Sequence, residues 1–279
     1  MNNNRVQYEL IGHSGCKIYL MKDGNENNFI RKFSKNVDYN ERLKLQCEKQ
    51  KSFHGLYIRS PKVLSNGIDK NGLFYFDMEY IHGITLAEYI KKVDVNEIQK
   101  IIDMLISQME PFTYRGYTDN SKIFSAKIKD LVRKIDNPLM IQGLNILSKY
   151  NWKNFPLTFC HGDLTLENII VCQGNFYLID FLDSFYDCFI LDIATLLQDV
   201  QCMWYYRFEE NLDVNTKIRL IIFRDLLLKK MSIYGVSEKD IYCALLLKLI
   251  RIFPYAHDDK TIEFLNKNVE YIIKFLEKT

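Results

Sequence analysis

The sequence predicts an α+β protein in two lobes, and three observations support this prediction. Residues 6–33 form short runs of alternating apolar and polar side chains separated by glycine-containing turns, which is typical of β-hairpins. From about residue 83 onward, apolar residues recur at helical spacing. A short β-hairpin at residues 169–179 interrupts those helical segments. We therefore expect a small β-rich lobe at residues 1–82 and a larger, mainly helical lobe at residues 83–279.

The first lobe should begin with three strands followed by a helix. The turn between the first two strands contains Gly12, Ser14 and Gly15, whose backbone amides and hydroxyl could approach phosphate oxygens. Further along, the Asp69-Lys70-Asn71-Gly72 turn separates two more apolar runs. The strands are predicted at residues 6–11, 16–21, 28–33, 63–64 and 73–78, and the helix at residues 39–53.

The second lobe should begin with a helix, because Thr85 and Glu88 have the spacing of a capping box. A second capping signature, Asp94 with Glu97, precedes apolar residues at helical spacing. The later helices are predicted at residues 123–135, 139–150, 192–198, 215–234, 237–253 and 261–277.

The composition excludes several classes of partner. The 279 residues include 37 Lys and Arg and 35 Asp and Glu, so the net charge of +2 gives no electrostatic case for nucleic acid or an anionic membrane. The chain shows no signal-peptide core and no apolar stretch of membrane-spanning length. Seven scattered cysteines indicate a reducing compartment rather than disulfides or zinc. We expect a cytoplasmic protein without nucleic-acid or membrane partners, and the oligomeric state stays open.

Polar side chains stand at both ends of the central hairpin. Asp163 and Asn168 precede its first strand, and Asp180 follows its second strand. Phosphoryl transfer from a nucleotide needs one carboxylate to accept the proton of the attacking hydroxyl. It also needs oxygen ligands, such as a carboxamide and a second carboxylate, to hold Mg²⁺ against the phosphates. The pattern therefore suits phosphoryl transfer from a nucleotide, with Mg²⁺ held at the phosphates.

These residues resemble the catalytic core of the aminoglycoside phosphotransferase and choline kinase family, which shares the protein-kinase-like fold. The resemblance is carried by His161-x-Asp163-x-x-x-x-Asn168 and by Ile179-Asp180-Phe181. Asp192-Ile193-Ala194 also matches the family.

Two departures distinguish the chain from protein kinases. Gly162 stands where protein kinases have arginine, and Leu182 stands where they have glycine. Both differences point toward small-molecule kinases, as does the missing Ala-Pro-Glu element.

The resemblance implies roles for the central motif. Asp163 would be the general base, and Asn168 and Asp180 would ligate Mg²⁺. His161 would support the catalytic loop through a hydrogen bond, and Asp192 would cap or tie the loop backbone.

The resemblance also implies a nucleotide-binding lysine on the third strand. Lys32 matches the family position, while Arg31 is the alternative, because strand alternation puts one of the two on the inner face. A glutamate from the following helix would orient that cation, with Glu48 preferred over Glu41.

The segment that joins the lobes resembles the adenine-binding linker of this family. Backbone groups of Glu79 and Ile81 would bind the adenine edge, with Met78 at the back of the pocket.

The acceptor is expected to lie in the helical lobe. Choline-kinase-like enzymes hold a cationic head with aromatic faces and acids, and an aromatic cluster among helices is also typical of a core. A neutral sugar would instead require hydrogen-bonding groups. The candidate acceptor residues are Asp183, Gln198, Asp199, Trp204, Tyr205 and Arg207.

We expect an ATP-dependent kinase for a small hydroxylated metabolite. The acceptor would be an amino alcohol such as choline or ethanolamine, or a sugar-like alcohol. The overall pattern also resembles phosphotransferases found among bacterial cell-surface polysaccharide genes, and this association suggests a role in polysaccharide synthesis. The alternatives are an aminoglycoside kinase and a nucleotide-binding regulator that has lost catalysis.

Overall fold

A computed structural model describes residues 5–10, 15–109 and 120–278. It divides the chain into two compact units. The first comprises Met1–Thr85 and Asn168–Asp183, and the second comprises Leu86–Glu167 and Ser184–Thr279. The first unit is built mainly of β-strands and the second mainly of helices, so the predicted α+β class is confirmed.

The first unit contains a five-stranded antiparallel sheet in the order β1-β2-β3-β6-β5. The third predicted strand has the predicted bounds, because its apolar alternation and flanking turns are local signals. The described strands are β1 (Arg5–Leu10), β2 (Lys17–Lys22), β3 (Asn28–Phe33), β4 (Ile58–Arg59), β5 (Val63–Ile68), β6 (Phe74–Glu79), β7 (Ile84–Thr85), β8 (Ile169–Cys172) and β9 (Asn175–Leu178).

Helix α1 (Asn40–Ser52) packs on this sheet. Leu43 and Cys47, one turn apart, belong to its buried face. They join an apolar core that includes side chains from three strands: Cys16, Ile18, Leu20, Ile30, Phe74, Phe76 and Met78. Strands β3 and β6 lie in the interior of the sheet, and each is hydrogen-bonded to a neighbouring strand on both edges.

A second, smaller sheet in the first unit has the order β4-β9-β8-β7. The predicted lobe boundary puts residues 168–183 in the helical lobe, whereas the structure places them in the first unit. Strand β8 pairs with β7 and strand β9 pairs with β4, so the hairpin is hydrogen-bonded to strands of the first unit. Residues distant in sequence supply both partners, which the local pattern could not show.

The second unit consists of eight described helices. Side chains of Asp213, Ser237 and Asp258 accept a backbone N–H at the start of three of them, which fixes where those helices begin. The helices are α2 (Leu86–Ile90), α3 (Val95–Met109), α4 (Ser121–Val132), α5 (Pro138–Lys149), α6 (Phe189–Val200), α7 (Val214–Ile233), α8 (Glu238–Ile252) and α9 (Asp259–Leu276).

The core of this unit lies around α6 and α8. Every residue of α6 is buried, as is every residue of α8 from Asp240 to Ile250. Helix α5 approaches α8 closely at Gly143, where a Cβ atom would lie 2.7 Å from Cδ1 of Ile250. In the described part of the chain, no helix combines the length and apolar character needed to cross a membrane.

Candidate active site

Lys32, whose side chain is buried, forms an ion pair with the partly exposed Asp180 in the first unit. Its Nζ lies 3.1 Å from Oδ1 of Asp180, and its side chain is 2% exposed. Burial by itself lowers the pKa of Lys32, but the Asp180 carboxylate outweighs this effect and leaves that pKa above its ordinary value. The central strand β3 therefore holds an ammonium group in its charged form beside a predicted metal ligand.

Arg31 lies on the opposite face of β3, as strand alternation requires. Its Nε and Nη2 donate to the two carboxylate oxygens of Asp77 at 2.6 and 2.8 Å. The guanidinium also lies 4.4 Å from the ring centroid of Tyr75. Of the two candidates for the phosphate-binding cation, the structure places Lys32 beside Asp180.

The glutamates predicted to orient Lys32 do not lie on the buried face of α1. Glu48 and Glu41 are exposed, and Glu41 pairs with Lys44 at 2.6 Å. The carboxylate paired with Lys32 is that of Asp180. The buried positions of α1 instead follow Leu43 at helical spacing, a face that contains neither glutamate.

Helix α1 presents basic groups to the residues that follow Asp180. Arg42 Nε lies 2.7 Å from Oδ1 of Asp183, and Lys49 Nζ donates to the carbonyl of Leu182 at 2.9 Å. These two cations lie seven residues apart, about two helical turns. Asp183, predicted to touch the acceptor or a second metal ion, is thus held by Arg42.

The open end of the β8–β9 hairpin carries the two predicted magnesium ligands. The Ile179 N–H donates to the Asn168 carbonyl at 3.0 Å, and Asp180 follows directly. Asp180 has a φ of 58°, in the left-handed region, which aspartate adopts more readily than most other non-glycine residues. The described residues contain no group of three or more His, Cys, Asp or Glu arranged around a metal.

A carboxylate with a carboxamide fits Mg²⁺, because this ion is commonly bound by one or two protein oxygens together with phosphates and water. Asp180 and Asn168 supply such a donor set, and both lie at the same end of one hairpin.

Some backbone groups of the predicted adenine-binding linker form hydrogen bonds within the protein. The Glu79 N–H donates to the Lys62 carbonyl at 2.9 Å, so this amide is already hydrogen-bonded within the protein. The Ile81 carbonyl accepts from the Gly83 N–H at 3.0 Å. Met78 is buried in the apolar core described above.

The predicted glycine turn is described only in part. Gly12 and Ser14 lie outside the described residues. Gly15 has a φ of 74°, which glycine adopts without strain.

The predicted catalytic loop, residues 161–167, lies in the second unit and is tied to α6. The carboxylate of Asp192 accepts the N–H of His161 at 2.5 Å and the N–H of Gly162 at 2.9 Å. The Asp163 N–H points to Nδ1 of His161 at 3.3 Å. The predicted tie from Asp192 is confirmed by these contacts, and His161 is a buried support of the loop, as expected.

Asp199 holds the other end of the same loop. Its carboxylate accepts the Leu166 N–H at 2.6 Å and the Tyr205 N–H at 3.0 Å, and it is fully buried. Burial raises its pKa to about 7. Asp199 was predicted to contact the acceptor, but it is a buried loop anchor. Gln198 is also buried and its carbonyl accepts the Trp204 N–H.

The aromatic candidates for the acceptor wall make contacts within the second unit. The Arg207 guanidinium carbon lies 3.8 Å from the Trp204 ring centroid, and Phe264 packs edge-on at 5.5 Å. The Tyr205 hydroxyl donates to Glu88 at 3.1 Å. Burial lowers the pKa of Arg207. One face of Trp204 is therefore already covered by a cation of the protein itself.

Sequence reasoning did not assign a role to Lys248. Its Nζ donates to the Gly162 carbonyl at 3.1 Å, next to Asp163. The available signal was a lysine within the apolar run of α8, from Ala244 to Ile250.

The comparisons with known proteins agree with this geometry. The model of the phosphotransferase enzyme family matches residues 132–219, which include the catalytic loop, the β8–β9 hairpin and α6. No curated protein sequence matches the chain.

Several solved structures share the fold over nearly the whole chain. A ternary complex of a thermostable mutant of aminoglycoside phosphotransferase APH(4)-Ia with AMP-PNP and hygromycin B has a TM-score of 0.68 at 12% identity, covering 96% of this chain and 92% of that one. LicA in complex with AMP gives a TM-score of 0.60 at 18% identity, covering 98% and 93%. A putative fructosamine-3-kinase from Haemophilus somnus gives 0.58 at 16% identity, covering 96% and 92%.

At these identities the likeness shows the fold, and it confirms the predicted protein-kinase-like architecture. The sequence match supplies the second, independent link, because it covers the motifs that carry the predicted chemistry. The chain therefore has the fold of these solved structures, and its residues 132–219 are similar to the phosphotransferase enzyme family, which its motifs resemble.

Proposed function

We propose that the protein, whose residues 132–219 match the phosphotransferase enzyme family, moves the γ-phosphate of ATP to a hydroxyl group of a small metabolite. The observation that carries this proposal is the ion pair at 3.1 Å between the buried Lys32 and the partly exposed Asp180. A lysine held in its charged form beside a carboxylate suits phosphate oxygens and their metal ion. The solved relatives with AMP-PNP and AMP support an adenine nucleotide.

Each residue has a defined task in this reaction. The Lys32 ammonium would bind phosphate oxygens, and Asp180 and Asn168 would hold Mg²⁺. When bound, Mg²⁺ neutralises negative charge on the phosphates. Asp163 would accept the proton of the acceptor hydroxyl while that oxygen bonds to the γ-phosphorus. The bond from the γ-phosphorus to the β–γ bridging oxygen then breaks, and ADP leaves.

The acceptor proposed here is a hydroxylated small molecule, with a sugar-like alcohol ranked above a cationic amino alcohol. Trp204 could have held a cationic head, but the Arg207 guanidinium covers one of its faces at 3.8 Å. Asp199, one of the proposed counter-charges, is buried and bonded to two backbone amides. Asp183 is paired with Arg42. These contacts occupy the groups that a choline-like acceptor would require. A role in cell-surface polysaccharide synthesis remains a proposal.

Replacing the general base tests the function. Asp163→Asn should leave nucleotide binding nearly intact and lower kcat by ~10² or more, because the lost group acts mainly in the transition state. The assay follows ADP release from Mg-ATP with a panel of sugars, amino alcohols and aminoglycosides.

Two results would count against the proposal. Near-normal kcat in the folded Asp163→Asn protein would remove the assigned base. Tight binding of ATP by the wild type without turnover of any acceptor would favour a catalytically inactive regulator.

A further inference from the structure

Lys248 is an ionisable side chain within the apolar core of the second unit. Within the described residues, Lys32 and Lys248 are the two buried lysines. Removing an ammonium group from water is costly unless it is paired and hydrogen-bonded. Lys32 meets Asp180, one of the proposed magnesium ligands. For the second buried lysine, Lys248, the group that stabilises it must be identified from its contacts.

Its contacts point to the catalytic loop. Lys248 Nζ donates to the carbonyl of Gly162 at 3.1 Å, and Gly162 has a φ of 95°. The next residue is Asp163. The carbonyl that Lys248 binds belongs to the peptide group that joins Gly162 to Asp163, so the contact fixes the orientation of that peptide group.

The charges around Lys248 come from three elements. Asp163 and Cys160 lie on the loop segment, Asp192 lies on α6, and Arg251 lies one turn further along α8. Burial lowers the pKa of Lys248, as does Arg251, while Asp163 and Asp192 act in the opposite direction. The positive charge of Lys248 is thus stabilised by the general base and by the residue that ties the loop.

Packing alone does not explain this arrangement. An apolar side chain at position 248 would continue the run of leucines in α8 without burying a charge. The hydrogen bond to the Gly162 carbonyl and the electrostatic attraction of the two aspartates offset part of the cost of burial.

We propose that Lys248 is a positioning residue, which holds the Gly162–Asp163 peptide group and attracts the Asp163 carboxylate so that it faces the attacking hydroxyl. The inference rests on the proposed function, since Lys248 acts through Asp163. A displacement of about 1 Å in a reacting group can cost ~10² in rate. Loss of Lys248 should therefore reduce catalysis without preventing nucleotide binding.

The test compares Lys248→Met, which removes the donor and the charge at similar length, with Lys248→Arg, which keeps both. Lys230→Met is the matched control, because Lys230 lies on α7 and pairs with Asp103. Three quantities are measured for each protein: kcat for ADP formation from Mg-ATP, the Kd of AMP-PNP by calorimetry, and Tm. If Lys248→Met does not fold, Lys248→Leu, which also removes the donor and the charge and continues the run of leucines in α8, takes its place under the same criteria.

We expect Lys248→Met to lower kcat at least ~10-fold while the Kd of AMP-PNP stays within about 2-fold. Lys248→Arg should recover part of kcat, and Lys230→Met should match the wild type. In an Asp163→Asn background, Lys248→Met should have no further effect, because both changes remove the same action.

Two outcomes would overturn the inference: a kcat of Lys248→Met within about 2-fold of wild type, or an equal additional loss in the Asp163→Asn background. If Asp163→Asn itself retains its activity, the proposed function fails. If Asp163→Asn is inactive while Lys248→Met is normal, only the role of Lys248 fails.

Discussion

Replacing Asp199 by asparagine should make the stability of the second unit less dependent on pH. Asp199 is buried, and each of its two carboxylate oxygens accepts one backbone N–H, from Leu166 and from Tyr205. An asparagine side chain has a single acceptor oxygen, so it can keep only one of these hydrogen bonds. The buried amide group that loses its partner should cost ~1–3 kcal/mol.

The dependence on pH follows from the pKa of the buried carboxyl group. Burial raises the pKa of Asp199 from 3.8 to about 7 in the folded protein. The folded state therefore keeps a proton that the unfolded state releases between those two pH values. The stability that Asp199 contributes is greatest below the unfolded pKa and is lost as the pH rises through the folded one. From pH 5 to pH 8 this loss amounts to about 3 kcal/mol.

Urea unfolding at pH 5, 6, 7 and 8 measures this difference, followed by the fluorescence of Trp152 and Trp204, the two tryptophans of the chain. At pH 5 the wild type should be more stable than Asp199→Asn. By pH 8 the gap should shrink or reverse, changing by about 3 kcal/mol in total. Asp130→Asn, at a partly exposed site on α4 where the aspartate pairs with Lys134, should show no such trend. Parallel stability curves for wild type and Asp199→Asn would refute the reasoning.

Three further predictions concern the site. Lys32→Ala should raise the KM for ATP at least ~10-fold, whereas Arg31→Ala should leave it near wild type, because Arg31 lies on the opposite face of β3; steady-state kinetics would contradict this if Arg31→Ala had the larger effect. Asp180→Ala should abolish turnover and weaken the binding of Mg-ATP in calorimetric titration, and an unchanged dependence on Mg²⁺ would move the ligand role elsewhere. Trp204→Ala should lower Tm while the acceptor KM changes less than about 2-fold, because Arg207 and a neighbouring ring pack on the indole. A higher KM at unchanged Tm would instead support a direct contact between Trp204 and the acceptor.

The sequence was most informative where structure depends on near neighbours. Strand alternation separated Lys32 from Arg31, and the capping and turn residues located most elements within a few positions. The order of Asp163, Asn168 and Asp180 around one hairpin predicted the chemistry, because both ends of the hairpin are encoded in about twenty consecutive residues.

The sequence was less informative where a role depends on contacts between distant segments. Helical periodicity showed that Glu41 and Glu48 share similar sides of α1, but not that this side lacks contact with the sheet. Asp199 lies just before the aromatic cluster in the sequence, which is why it is predicted to contact the acceptor. Leu166, whose N–H it accepts, lies 33 residues away. The bond from Lys248 to Gly162 spans 86 residues, so only the lysine within an apolar run hinted at it.

The ties between the catalytic loop and α6 have a consequence for local opening and hydrogen exchange. Surface loops usually open independently of the core, and their amides exchange quickly. Here the amides of His161, Gly162 and Leu166 are held by Asp192 and Asp199, two carboxylates on a helix that is buried along its whole length. Their exchange should therefore be as slow as that of α6 itself. A variant that loosens α6 at a remote position should lose activity at temperatures where the protein is still folded.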